Sequence, residues 1–228
     1  MAANSAREEI LARIRTAIVA GNPPATAPAG TIEEEWSAIQ RNYRRTGTRD
    51  AEALMHQLED RLRDYDAGVY RCTSADLRGT IASVLRERGM LVMAHPAGLP
   101  QAWLPDGIIF VEDARAEVAQ VDACQGVLTS ATLAIAETGT IVLQDVAGQG
   151  RRAASLLPDY HLCVVDAASI VQSVPEAMAK LAATAHLATT FFSGPSATAD
   201  IEMTRIKGVH GPRFVDVIFC APFITVVS

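Results

Sequence analysis

Cysteine is scarce in this chain, and its four residues stand far apart. Cys72, Cys124, Cys163 and Cys220 form no Cys-x-x-Cys pair, so the spacing predicts no zinc or iron–sulfur site within the chain. Three of them lie in apolar runs, where a reduced thiol packs as a small hydrophobe. Aromatic residues make up only 5% of the 228, which argues against an aromatic-lined nucleic-acid platform. Excess positive charge is lacking too. The 20 Lys and Arg stand against 26 Asp and Glu, a formal net charge of -6, so nonspecific binding to nucleic acid or an anionic membrane surface is disfavoured. No apolar run approaches the roughly 20 residues that a membrane span needs. Residues 5–20 are amphipathic and charged rather than a secretory leader, and with reduced cysteines this predicts a cytoplasmic location. The absence of G-x-G-x-x-G leaves a dinucleotide site of the usual type unsupported.

What is present suits a globular body. Hydrophobic residues are 49% and charged residues 20%, enough to bury a core. The length fits one large domain, or one domain with an arm. Ile10, Leu11, Ile14 and Ile18 fall at helical spacing, with Ser5 as a cap and Glu8 three residues on. The Pro/Ala/Gly run at 22–30 reads as a linker. The expected organisation is therefore an N-terminal helix and linker over 1–30 and an α/β domain over 31–228. Residues 31–45 suggest a short helix, and 51–65 a longer one with Leu54, Met55, Leu58 and Leu62 on one face. From there apolar strands are expected at 68–72, 90–94, 107–111, 126–128, 140–143, 161–165 and 215–219. Helices are expected at 76–87 and 175–186, the latter with Pro at its first turn. Strands that are apolar throughout, alternating with helices, indicate a mostly parallel sheet flanked by helices.

Three stretches carry chemistry-bearing residues. In Glu137-Thr138-Gly139-Thr140, a carboxylate stands at a turn between apolar elements. Desolvation there would raise its pKa and suit it to base or nucleophile work, while the Thr and Gly residues offer hydroxyls and N–H groups to an anion. The alternative is that Glu137 caps a helix end and Gly139 makes a turn. In Gly148-Gln149-Gly150-Arg151-Arg152, two arginines follow a flexible loop at the start of a short helical stretch ending at Pro158. They offer an anion grip or are plain surface charge. The third stretch is a polar excursion bracketed by two Gly-Pro turns. It holds Ser193-Gly194-Pro195-Ser196, then Asp200 and Glu202, then Gly208, His210 and Gly211. Long polar loops at strand ends of α/β domains are common places for sites. His210 is a candidate proton shuttle or a structural hydrogen-bonder, and His161, inside a strand, is a weaker candidate. Asp216 is expected to mark an exposed side of the last strand.

Taken together, Ala136-Glu137-Thr138-Gly139-Thr140, Leu156-Leu157-Pro158, Ser193-Gly194-Pro195-Ser196 with Thr198-Ala199-Asp200-Ile201-Glu202, and Gly208-Val209-His210-Gly211-Pro212 resemble the lactate utilization protein C family and its LUD domain. The opening Glu9-Ile10-Leu11-Ala12-Arg13-Ile14-Arg15 is similar to that family's first helix. The resemblance implies a NagB/RpiA/CoA-transferase-like α/β fold and a role in oxidising L-lactate to pyruvate. It also implies partner proteins that carry the iron–sulfur clusters, with no redox cofactor in this chain. By fold-level analogy it makes Glu137 the candidate catalytic carboxylate, beside His210. The ligand-binding candidates are Thr138, Gly139, Thr140, Arg151, Arg152, Ser193, Gly194, Ser196, Asp200, Glu202, Gly208 and Gly211. Two other readings stand beside this one: a free-standing enzyme acting on an acyl or phosphorylated small molecule, and a non-catalytic assembly module.

Overall fold

The computed structural model describes residues 2–21, 31–199, 205–208 and 210–221. The chain divides into two compact units, Met1–Tyr43 and Arg44–Ser228. In the first, α1 (Ala2–Gly21) begins three residues before the expected Ser5 cap, and Ile10, Ile14 and Ile18 on one of its faces are exposed. The linker expected at 22–30 lies outside the described residues. Helix α2 (Ile32–Ala38) is shorter than sequence pattern suggested. Thr31 starts it with a reciprocal capping box: its hydroxyl accepts from the Glu34 N–H at 3.2 Å, and the Glu34 carboxylate accepts from the Thr31 N–H at 2.7 Å.

The second unit runs α3 (Ala51–Asp64), β1 (Gly68–Thr73), α4 (Leu77–Glu87), β2 (Val92–His95), β3 (Ile109–Glu112), α5 (Val118–Asp122) and β4 (Gly126–Ser130). It continues with β5 (Leu133–Ile135), β6 (Thr140–Gln144), β7 (Tyr160–Asp166), β8 (Ile170–Val171), α6 (Val174–Leu181), β9 (Thr189–Phe192), β10 (Ala197–Ala199), β11 (Arg205–Lys207) and β12 (Phe214–Ala221). Six strands form a parallel sheet in the order β1-β12-β7-β4-β2-β3. Both faces of this sheet are covered, which is why its strands are apolar throughout. On one face Ile81 and Leu85 of α4 meet Leu128, Leu162 and Ile218. On the other, Leu58 and Leu62 of α3 and Ile141 of β6 meet Cys163, Val217 and Phe219. All four thiols are free, and burial pushes the Cys163 thiol up to about 12. None of the described helices is long and apolar enough to cross a membrane.

Three expectations are corrected. The strand at 140–143 does not belong to the parallel sheet. It is β6 of a second sheet, β8-β5-β6-β9, in which β6 pairs antiparallel with β5 and β9. Its apolar pattern misleads because Leu133, Ile135 and Val142 pack on Ala177 and Leu181 of α6, so this sheet too is covered on both sides. Residues 151–158 form consecutive turns, not a helix. Asp216 is not on an exposed side: it is fully buried, its carboxylate held by Arg88 at 2.7 and 2.8 Å and by the Tyr160 hydroxyl at 2.9 Å.

Candidate functional site

The polar excursion folds back on itself around one serine. Strands β10 and β11 make a short antiparallel hairpin, and Ser196 sits at its base. The Ser196 N–H donates to Pro212 O at 2.8 Å, its carbonyl accepts from the Gly208 N–H at 2.9 Å, and its hydroxyl accepts from the His210 N–H at 3.1 Å. The two Gly-Pro turns are therefore stitched together, which their separation in sequence does not reveal. Gly194 has φ +73°, and a Cβ there would lie 2.4 Å from the Cβ of Tyr65, so the turn admits only glycine. Asp200 and Glu202 lie outside the described residues.

Beneath this stitched loop is a cavity of about 290 Å³, lined by Arg152, Ser155, His161, Ser193, Ser196 and His210 among others. It lies at the amino ends of β7 and β12: His161 is the second residue of β7, and His210 precedes β12. In open α/β sheets ligands more often lie outside the carboxyl ends, so this position departs from the usual arrangement. Four hydroxyl-bearing residues (Ser155, Thr190, Ser193 and Ser196), two imidazoles and one guanidinium are among the described lining residues, and no carboxylate is. Arg152 reaches the Ser155 hydroxyl at 3.4 Å. Such a set of donors receives an anion.

His161 is the most deeply buried of the polar groups in this set, 2% exposed. Its Nε2 lies 2.8 Å from Thr129 Oγ1, and its ring packs on Phe192 with centroids 5.1 Å apart. Burial first, and the Arg152 charge second, push its pKa down to about 4, so the imidazole is neutral at pH 7. His161 was the weaker histidine in sequence terms; its signal was a polar residue inside the apolar run of β7. Ser155 gave no signal at all.

Glu137 does not face this cavity. It sits in the hairpin turn between β5 and β6, its side chain about one-third exposed. Arg44 pairs with its carboxylate, and Gln172 Nε2 donates to the same oxygen at 3.2 Å. Gln172 also accepts from the N–H groups of Thr48 and Arg49 at 2.7 and 3.1 Å, so the carboxylate is part of a clamp on the segment before α3. Thr138, Thr140 and Ser193 are joined by a chain of hydroxyls at 2.7 and 2.8 Å, and Ser193 brings that chain to the cavity wall. Gly139, at φ +64°, lies against Arg61. Gly208 and Gly211 make positive-φ turns in the stitched loop.

The two arginines part company. Arg151 turns away from the cavity: its Nε donates at 2.6 Å to Asp113, which is 2% exposed, and its Nη2 donates to the Asp113 and Ala116 carbonyls at 3.0 and 2.7 Å. That is a structural tie between two loops. Of the two, Arg152 is the one that supplies a guanidinium to the cavity. Among the described residues, no three His, Cys, Asp or Glu side chains are grouped to hold a metal ion.

Comparison with known proteins agrees with the fold. Residues 55–220 match the LUD domain. Lactate utilization protein C of Deinococcus radiodurans is 39% identical over 216 residues, 93% of this chain and 94% of that protein. Lactate utilization protein C of Shouchella clausii is 33% identical over 105 residues, 44% of this chain and 45% of its own length. A crystal structure of a DUF162 family protein from Deinococcus radiodurans is similar with a TM-score of 0.65 and 37% identity, covering 76% of this chain and 99% of that one. With a domain match over most of its length and a full-length relative at this identity, the chain belongs to the LUD domain family, among the lactate utilization C proteins.

Proposed function

We propose that this chain serves lactate utilization as a cytoplasmic component of a system that oxidises L-lactate to pyruvate, with iron–sulfur partner proteins carrying the electrons. The names of its relatives support the process. The observation that carries the site is the cavity beneath the Ser196 loop, cationic at Arg152, rich in hydroxyls and free of carboxylates among its described lining residues. At about 290 Å³ it has room for a three-carbon acid with several waters, each taking ~30 Å³. Arg152 would pair with the carboxylate, and the hydroxyls of Ser155, Ser193 and Ser196 would bond the remaining oxygens. Ile10, Ile14 and Ile18 offer exposed apolar surface on α1 for a partner.

The test is made in the native host. Deletion of the coding gene abolishes growth on L-lactate, and the tagged chain brings down iron–sulfur proteins together with lactate-dependent dye reduction. An Arg152→Met chain that still folds fails to restore growth. Normal growth of the deletion strain, with no second copy of the gene, would sink the process assignment.

A further inference from the structure

Within the cavity, His161 is the group held away from water, and its surroundings are uncharged on nearly every side. From β4 come Val127, its register neighbour, and Thr129. From β12 comes Val215, and from β9 Phe192. The titratable or charged side chains near it are, among the described residues, Arg152 from the turns after residue 150, His210 from the loop before β12, and Cys163 along its own strand. The Cys163 thiol stays protonated. Among the described residues, the fixed charge acting on the imidazole is the positive charge of Arg152, which together with burial keeps His161 neutral.

An anion in the cavity reverses that balance. It pairs with Arg152, cancels the field that disfavours imidazolium, and adds a negative charge in a site where water screens little. The hydrogen-bond partners accommodate the change. In the charged form Nε2 donates to Thr129 Oγ1, and the Thr129 hydroxyl turns to Cys163 Sγ, 3.6 Å away. Nε2 and the Thr129 hydroxyl thus both keep a partner through the switch.

We propose that His161 takes up a proton from solvent when a small carboxylate binds in this cavity, so that the site receives the anion and a proton together. This rests on the reading of the cavity as a carboxylate site. The charge of the ligand is then balanced twice, by Arg152 at the mouth and by imidazolium in the floor. Linkage sets the sign: a group whose pKa rises on binding makes binding tighter as pH falls, by up to about tenfold per pH unit.

The experiment is calorimetric titration of the full chain with pyruvate and with L-lactate between pH 6 and 8, repeated at pH 6.5 in two buffers of different ionisation enthalpy. The expected result is net proton uptake and a Kd that increases with pH. In His161→Gln the residual binding shows neither. Histidine ¹⁵N shifts of the wild-type chain read the same proton directly, should that variant misfold: saturating pyruvate moves the His161 signal to its imidazolium position. Binding with no proton uptake, uptake that persists in His161→Gln, or a His161 signal that stays neutral at saturation would each overturn the proposal and leave the carboxylate site standing. Failure of both acids to bind would overturn the carboxylate reading, and this inference with it.

Discussion

Replacing Arg88 by Met strands a charge in the middle of the protein. Arg88 follows α4 and donates Nε and Nη2 to the two oxygens of Asp216 at 2.8 and 2.7 Å, while Tyr160 donates its hydroxyl at 2.9 Å. Asp216 has no exposed surface. Burial, and then this carboxylate, hold the Tyr160 phenol well above its ordinary pKa, so the phenol remains a donor. Without Arg88 the carboxylate keeps one donor and no countercharge, a loss of about 3–5 kcal/mol. At roughly 2–4 °C per kcal/mol for a body of this size, Tm falls by about 6–20 °C. Urea unfolding at pH 7.5 measures it. Removing all three partners together (Arg88→Met, Tyr160→Phe, Asp216→Val) is expected to cost less than Arg88→Met alone, because no buried polar group is then left unpaired. An Arg88→Met protein within about 1 kcal/mol of wild type, or a triple variant as unstable as the sum of its parts, would refute the reasoning.

His161 makes the fold acid-sensitive. Its pKa is about 4 in the folded chain against an ordinary 6.5, so the unfolded chain binds the extra proton, and stability present above 6.5 is lost as pH falls toward 4. Between pH 7 and pH 5 wild type should lose about 2 kcal/mol more than His161→Gln, read from urea midpoints. Arg152→Met should weaken pyruvate binding by about 10- to 100-fold in calorimetry, the worth of a charge-assisted contact. Glu137→Gln should cost under about 1 kcal/mol, since the carboxylate and Arg44 are both substantially exposed, and it should restore lactate growth to a deletion strain; failure to do so in a folded variant would return Glu137 to the mechanism. Gly194→Ala should lose about 1–3 kcal/mol by thermal melting, because a Cβ at φ +73° meets Tyr65 at 2.4 Å.

Much of the parallel sheet was legible because its strands are buried on both faces and read as short apolar runs between helices. The second sheet was not, and the reason is the same. Once α6 covers β5 and β6, an antiparallel strand carries the same unbroken apolar pattern as a parallel one. Asp216 misled because an isolated acid in a strand reads as a solvent face; its partners Arg88 and Tyr160 lie far away in sequence. The polar excursion with its two Gly-Pro turns could be seen from turn chemistry alone. That Ser196 closes it over Arg152 and His161 could not, since those three residues meet only when β7, β9 and β12 are assembled. Glu137 stood out by residue type, but its clamp to Gln172 and Arg44 is tertiary.

The place of β12 has a consequence for synthesis. This strand pairs with β1 on one side and β7 on the other, and β1, at the sheet edge, has no other strand neighbour among the described residues. Residue 68 therefore waits on residue 216. At about 5–20 residues per second on the ribosome, that wait is on the order of 10–30 s. For most of that time α4 carries an Arg88 without its carboxylate, and over roughly the last 2–10 s β7 shows an open edge able to pair with other chains. Slowing translation between β7 and β12 should lengthen this exposure and increase aggregation of the nascent chain, while the finished protein is unchanged.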